Sequence, residues 1–327
     1  MTTPPIEKPL WRVLASLRFR DYWSLGLRLF DRFGRHHIML TSAGVAFYLL
    51  LSIFPALTAF VSLFGLVADP DVIASQIRDL EGAVPESVSR ILGAQAISLA
   101  SQASGVLGWS ALLGLVLSVW SANRGTKAFI QALNVIYETR ETRKFFRLTG
   151  QSLLITFLSL VVGIVMLVAI VVVPPLLKAL LANRLWDTIT FIAKWPFMLV
   201  IMAFVFSYLY RYAPAVPDPG RRSVFLGALM GVSGWFLISL GFSLYADNFA
   251  HYNETYGALA GVVIFFFWLL LSSVAVLMGA ETNLALWHVV ADQRAGRAPP
   301  RTFADVQAEA IEEERRRLQL PGDTATN

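Results

Sequence analysis

The sequence predicts an all-α integral membrane protein, a bundle of six transmembrane helices with short amphipathic helices beside it. Three observations carry this: a composition too apolar for water, six windows long enough to cross a bilayer, and a lopsided distribution of Lys and Arg. Of 327 residues, 56% are hydrophobic, 13% aromatic and only 15% charged, and the mean hydropathy is +0.60. Soluble domains average about 25% charged residues, so a chain with this deficit and no low complexity has lipid as its main solvent. The 23 Phe, 9 Trp and 9 Tyr exclude disorder by the same reasoning. With no cysteine, the chain has no disulfide, no thiolate nucleophile and no Cys-based metal site.

Residues 1–37 form a cytoplasmic basic arm. Lys8, Arg12, Arg18, Arg20, Arg28, Arg32 and Arg35 stand against three acids, with Leu14, Leu17, Trp23, Leu27 and Phe30 interleaved at roughly helical spacing. No short apolar stretch near Met1 reads as a cleaved signal, so the N-terminus is expected to be retained. The membrane domain covers 38–287, with spans at about 38–67, 105–122, 148–173, 195–210, 223–245 and 258–287. Each approaches the ~20 apolar residues needed to cross ~30 Å of hydrocarbon. The first contains Pro55 and is either a long tilted helix or one kinked near Phe54. The fourth is short unless it begins near Trp186. Trp109, Trp120, Trp195, Tyr208, Tyr210, Tyr212, Tyr245 and Trp287 sit near span ends, where amphipathic rings favour the interface.

With the N-terminus inside, segments 1–37, 123–147, 211–222 and 288–327 hold 22 of the 27 basic residues. That excess sets both termini in the cytoplasm and the span number even. The net charge of +5 is thus a record of orientation rather than a sign of nucleic-acid binding. Outside segment 68–104 places Val72, Ile73, Ile77, Leu80, Val88, Ile91 and Leu92 at spacings of three and four around Pro85, which predicts two short amphipathic helices. The polar tail 288–327 contains Glu312–Arg317, a pattern expected to be a solvated helical face with no specific role.

Several polar groups are not explained by topology. Glu281 lies near the end of the sixth span, close to the expected cytoplasmic interface, and an intramembrane acid is either functional or held in an ion pair. Arg124 is the expected partner in the second case. Arg124 and Lys127, with Arg140, Arg143, Lys144 and Arg147, make a basic cytoplasmic loop that anionic head groups would favour. Asn123 and Asn134 are placed to cap the helices flanking that loop. Tyr48, Ser52, Thr58 and Ser62 give the first span a polar stripe beside Pro55, which either lines a cavity or bonds to a neighbouring helix. Gly227, Gly231, Gly234 and Gly241 crowd the fifth span and predict close helix packing.

Ala43–Tyr48 (AGVAFY) and Ser52–Pro55 (SIFP), then Ser121–Ala128 (SANRGTKA), Ala132–Asn134, Tyr137 and Arg140–Arg143, and finally Tyr256–Gly261 (YGALAG) and Gly279–Asn283 (GAETN), form a combination that resembles the YihY/BrkB family of bacterial inner-membrane proteins, once labelled ribonuclease BN. The resemblance covers about residues 20–290. It implies six spans in the bacterial cytoplasmic membrane. The ribonuclease label finds no support in the residues. His36, His37, His251 and His288 form no ligand motif, and no acid and base are spaced for hydrolysis, so no catalytic residue, cofactor or metal is expected. No phosphate-binding Gly loop suggests ATP hydrolysis. The leading functional expectation is movement of an amphiphile or anion, such as an envelope lipid, along a path made by Glu281, Arg124, Lys127, Tyr48, Ser52, Pro55 and Thr58. The competing expectation is a scaffold for envelope organisation in which these groups serve packing alone.

Overall fold

The computed structural model describes residues 19–64, 109–171, 184–216, 224–248, 258–296, 300 and 302–318. Among them all regular structure is helical: α1 (Phe19–Arg35), α2 (Ile38–Phe64), α3 (Trp109–Ile136), α4 (Phe145–Val171), α5 (Arg184–Tyr212), α6 (Phe225–Asn248), α7 (Ala258–Arg294) and α8 (Phe303–Leu318). Helices suit lipid because they satisfy each backbone amide and carbonyl within the segment. Phe145–Met166, Phe225–Tyr245 and Gly261–Asp292 are long and apolar enough to cross a membrane, and α1 with α2 makes a fourth candidate if that bent pair counts as one span. The shorter apolar stretch Pro196–Tyr212 falls below that length. The two amphipathic helices expected in 68–104, together with His251, lie outside the described residues.

α2 stays helical through Pro55, and α5 starts two residues before Trp186. The main departure is at 123–136. This stretch, expected to begin a loop, continues α3 for more than three further turns. Its cations lie on one side, while Ile130, Leu133 and Ile136 on the other are buried in the central core with Ile38, Val232 and Leu277. A basic helix with one apolar face reads as a loop when only average hydropathy is taken.

α3 then ends in a left-handed turn. Thr139 N–H donates to Asn134 O and Glu138 N–H to Val135 O, with Glu138 at φ 49°. This is the C-terminal motif that favours glycine, and a carboxylate-bearing residue occupies it. Asn134 and Asn123 therefore do not act as N-caps. The Asn134 amide donates to Glu141 Oε2, and its Oδ1 accepts from Ala215 N, so it ties the α3–α4 turn to the segment after α5. Asn123 lies inside α3 and accepts from Thr156 Oγ1 of α4.

The closest backbone approach joins α6 to α7. A Cβ added at Gly279 would sit within 3 Å of Gly227 O, the Tyr210 hydroxyl and Gly231 Cα. Tyr210 Oη donates to Val276 O at 2.6 Å, and Asn283 Oδ1 accepts from Gly227 N at 2.8 Å in the first turn of α6, where no helical acceptor exists. Lipid is as apolar as Leu, so association here rests on contact and hydrogen bonds, which small residues permit. Gly241 meets nothing within 4 Å and takes no part. Gly279→Ala is expected to lower the thermal unfolding midpoint in nanodiscs, with an overpacking cost of about 1–3 kcal/mol. Gly241→Ala should leave it unchanged, and equal midpoints for the two variants would contradict this account of the contact.

Candidate functional site

The polar residues gather in two clusters. In the first, α1 lies against the C-terminal part of α7 as an antiparallel ladder of three rungs. Arg28 Nη2 meets Asp292 Oδ2 at 2.6 Å, Arg32 Nη2 lies 3.0 Å from His288 Nε2, and the His36 ring pairs through Nδ1 with Glu281 Oε1. Residues 28, 32 and 36 are one helical turn apart, and 281, 288 and 292 share a stripe of α7, so regular helices bring the rungs into register. Arg28 also reaches Glu309 of α8 at 2.9 Å, and Phe30 meets Phe303 edge-on. α8 thus closes over α1 through Phe303 and Glu309, which precede the Glu312–Arg317 stretch.

Glu281 is 0% exposed. Its second oxygen lies 3.9 Å from Arg32 Nη1, which is also 3.4 Å from Glu138 Oε1. Glu138 Oε1 is in turn 3.4 Å from His36 Nε2. The expected pairing of Glu281 with Arg124 is replaced by His36 and Arg32. Arg124 sits exposed on α3, whereas the loop joining α1 to α2 folds directly onto the carboxylate.

Hydrogen-bond chemistry fixes the proton count of this cluster. Arg has no acceptor, so Arg32 donates to His288 Nε2, and His288 is neutral with its proton on Nδ1. Both ring nitrogens of His36 face carboxylates, an arrangement that suits the doubly protonated imidazolium. Arg32 and His36 then balance Glu138 and Glu281. Burial on its own disfavours the His36 charge, but hydrogen bonds to Glu138 and Glu281 and the Glu281 charge outweigh it, against a smaller opposing effect of Arg32, and hold its pKa above 6.5. His36 precedes His37, which has φ 46°, and Glu138 has φ 49°, so both non-glycine left-handed residues adjoin the cluster. Such backbone costs of order 1 kcal/mol each and persists where the surroundings impose it.

The second cluster is a polar seam between α2, α3 and α4. Ser52 Oγ donates to Tyr48 O and accepts from Gly125 N at 2.9 Å, Thr126 and Thr156 hydroxyls lie 2.7 Å apart, and Lys127 Nζ donates to Thr149 Oγ1 at 3.0 Å. Lys127 also lies 5.3 Å from the centre of the exposed Phe145 ring. The expected path is therefore divided. Ser52 and Lys127 belong to this seam, Arg124 sits exposed on α3, Glu281 belongs to the ladder, Tyr48 faces outward against Phe47, and Pro55 and Thr58 are half-buried on α2.

The cations also divide. Arg28, Arg32, Arg35 and Arg143 each meet a carboxylate. Arg124, Lys127, Arg140, Lys144 and Arg147 have no ion-pair partner among the described residues, and Phe145 and Phe146 beside them are 64% and 87% exposed. Arg143 holds the turn instead. It forks onto Glu141 and lowers that carboxyl to a pKa of about 2, while bonding Gln151 at 2.6 Å. Away from both clusters, a groove of about 480 Å3 between α5 and α6 is lined almost wholly by apolar side chains such as Leu199, Phe204, Leu229 and Phe236. It touches none of the path residues expected from sequence. No group of three His, Asp or Glu side chains is set to hold a metal ion among the described residues.

Long apolar helices joined by buried ion pairs and close glycine contacts define a multi-pass helical membrane protein. Residues 29–302 match the family described as Virulence factor BrkB, and the chain belongs to that family. It is 29% identical over 270 residues to the putative ribonuclease-like protein YfkH of Bacillus subtilis, covering 80% of this chain and 94% of that one. A UPF0761 membrane protein of Alkalilimnicola ehrlichii is 30% identical over 265 residues, 78% of this chain and 56% of its own length. Another, from Azoarcus sp., is 26% identical over 282 residues, 84% of this chain and 65% of its own. The chain thus spans most of one relative and a little over half to two thirds of the others. No solved structure matches it.

The ladder carries a pH dependence with a definite sign. His36 has a raised folded-state pKa, so its contribution is complete below about 6.5 and is lost as pH rises through the raised value. Amide exchange of α1 is expected to quicken over that upward range in the wild type. In His36→Ala it should be fast throughout, and a wild-type rate that falls with rising pH would contradict the assignment.

Proposed function

We propose that this protein is a six-span protein of the bacterial cytoplasmic membrane that binds and moves an anionic amphiphile, with the head group received at the α3–α4 corner. The observation that carries this reading is the set of cations with no ion-pair partner among the described residues, Arg124, Lys127, Arg140, Lys144 and Arg147, beside exposed Phe145 and Phe146. Uncompensated charge next to rings that favour the interface suits lipid phosphate, worth about 1 kcal/mol for each cation near the surface. The Lys127 ammonium gives one hydrogen to Thr149 and retains two for a ligand. From there the seam through Thr126, Thr156 and Asn123 leads polar groups inward between α3 and α4.

Six crossings, with a cytoplasmic arm before the membrane domain and a cytoplasmic tail after it, accord with the helix directions. At one end of the bundle the start of α2 meets the end of α3 and the later part of α7. There too the segment after α5 meets the end of α3, and the start of α6 meets α7. The basic segments converge on that end, which is the cytoplasmic one by the excess of Lys and Arg. The ribonuclease-like name of the Bacillus relative is not carried over, and the role proposed is non-enzymatic.

A second reading, a non-transporting scaffold, is favoured by Ser52, whose hydroxyl is fully used by Tyr48 O and Gly125 N. Reconstitution in liposomes with labelled phosphatidylglycerol separates the two. Wild type should move the label faster than protein-free vesicles. Joint replacement Lys127→Gln, Lys144→Gln and Arg147→Gln should weaken its retention by about 3 kcal/mol, roughly a hundredfold. Arg315→Gln on α8 serves as the charge control. Movement by wild type at the protein-free rate would remove the transport claim, and unchanged retention in the triple variant would remove the site.

A further inference from the structure

α1 is amphipathic, but its faces are reversed relative to a helix resting on a soluble surface. The side it turns to the protein carries Asp21, Ser24, Arg28, Asp31 and Arg32, all buried. The opposite side carries Trp23, which is 59% exposed, and Phe30, which is 72% exposed with its ring edge-on to Phe303 of α8. A helix facing water would turn the rings inward and the charges out. The reversal is built in, because Arg28 and Arg32 are held by Asp292, Glu309, Glu138 and His288, so α1 cannot roll without stranding buried charge.

Geometry selects what covers the rings. α1 and α2 meet at a bend of 62°, and spans tilt on average about 20° from the bilayer normal, so with α2 as a span α1 leans roughly 40–80° away from the normal. Beyond the bend, α2 opens with exposed Met39 and Leu40 and continues outward with Phe47 and Leu51, the surface that a span offers to lipid. The apolar side of α1 leads into that surface. We propose that the outward face of α1, through Trp23 and Phe30, is a docking surface for the lipid leaflet, and that α1 rests in the membrane–water interface as an in-plane helix. Rings there sit at the level of the head groups, with the charged side turned to the protein. This inference needs only that the chain is a membrane protein. Its failure would leave lipid binding at the α3–α4 corner untouched.

The absence of cysteine allows single labels without background. Spin labels at Trp23→Cys and Phe30→Cys in nanodiscs are compared with Phe204→Cys, exposed on α5, and Arg315→Cys, exposed on α8. Collision with oxygen should exceed collision with a water-soluble nickel chelate at 23 and 30, as at 204, with the reverse at 315. Nickel access at 23 and 30 equal to that at 315 would overturn the proposal, as would exclusion of both reagents, the signature of a protein partner or a second copy. A readout free of label at position 23 comes from lipids brominated high on the acyl chain. They should quench the fluorescence difference between wild type and Trp23→Phe, and no quenching of that difference would also overturn it.

Discussion

A carboxylate sealed from water must be matched where it lies, and Glu281 sets that requirement for one end of the bundle. Its partners come from the last turn of α1 and the residue after it, so the carboxylate fixes where α1 can lie. Once His36 and Arg32 are committed to α7, the regular spacing of α1 brings Arg28 onto Asp292, and Glu309 then draws α8 over the same arginine. The strained turns follow as well. Glu138 occupies a position that favours glycine because only a carboxylate there can meet both Arg32 and His36. Removing either partner of such a buried pair costs more than the pair itself contributes, since the charge left behind is uncompensated.

The ladder bears on where the proposed amphiphile site lies. Charges that hold α1 and the α3–α4 turn are paired with carboxylates, and those on the outer side of α3 and the first turn of α4 have no ion-pair partner among the described residues. The apolar groove between α5 and α6 has no charged group of its own, and in a bilayer acyl chains would fill it. The resulting division is between an ionic clasp at the base of the bundle and a basic corner at its side.

Much of the fold is legible in the sequence. Apolar windows found the helices because length and hydropathy are what lipid selects, and the glycines of α6 marked the α6–α7 contact because nothing larger fits beside Gly279. Residues 123–136 were misread since Arg124 and Lys127 lower the average, though Ile130, Leu133 and Ile136 carry the helical spacing of a buried face. Lys127 was visible as a candidate, and Thr149 of α4, which accepts its hydrogen bond, was not, because Thr in a span commonly bonds its own helix. The partner of Glu281 was out of reach for a different reason. A single acid does not say which of many cations it meets, and only the matched sets 28, 32, 36 and 281, 288, 292 carry that information jointly.

The central claim is that Glu281 and His36 act as one unit in holding α1 to the bundle. The most direct test is a double-mutant cycle in nanodiscs, with unfolding free energies for wild type, Glu281→Gln, His36→Gln and the double variant. A coupling of about 1–3 kcal/mol is expected, because each single change strands the other group. Additive effects of the two substitutions would contradict the claim and return Glu281 to the status of an acid without a structural partner.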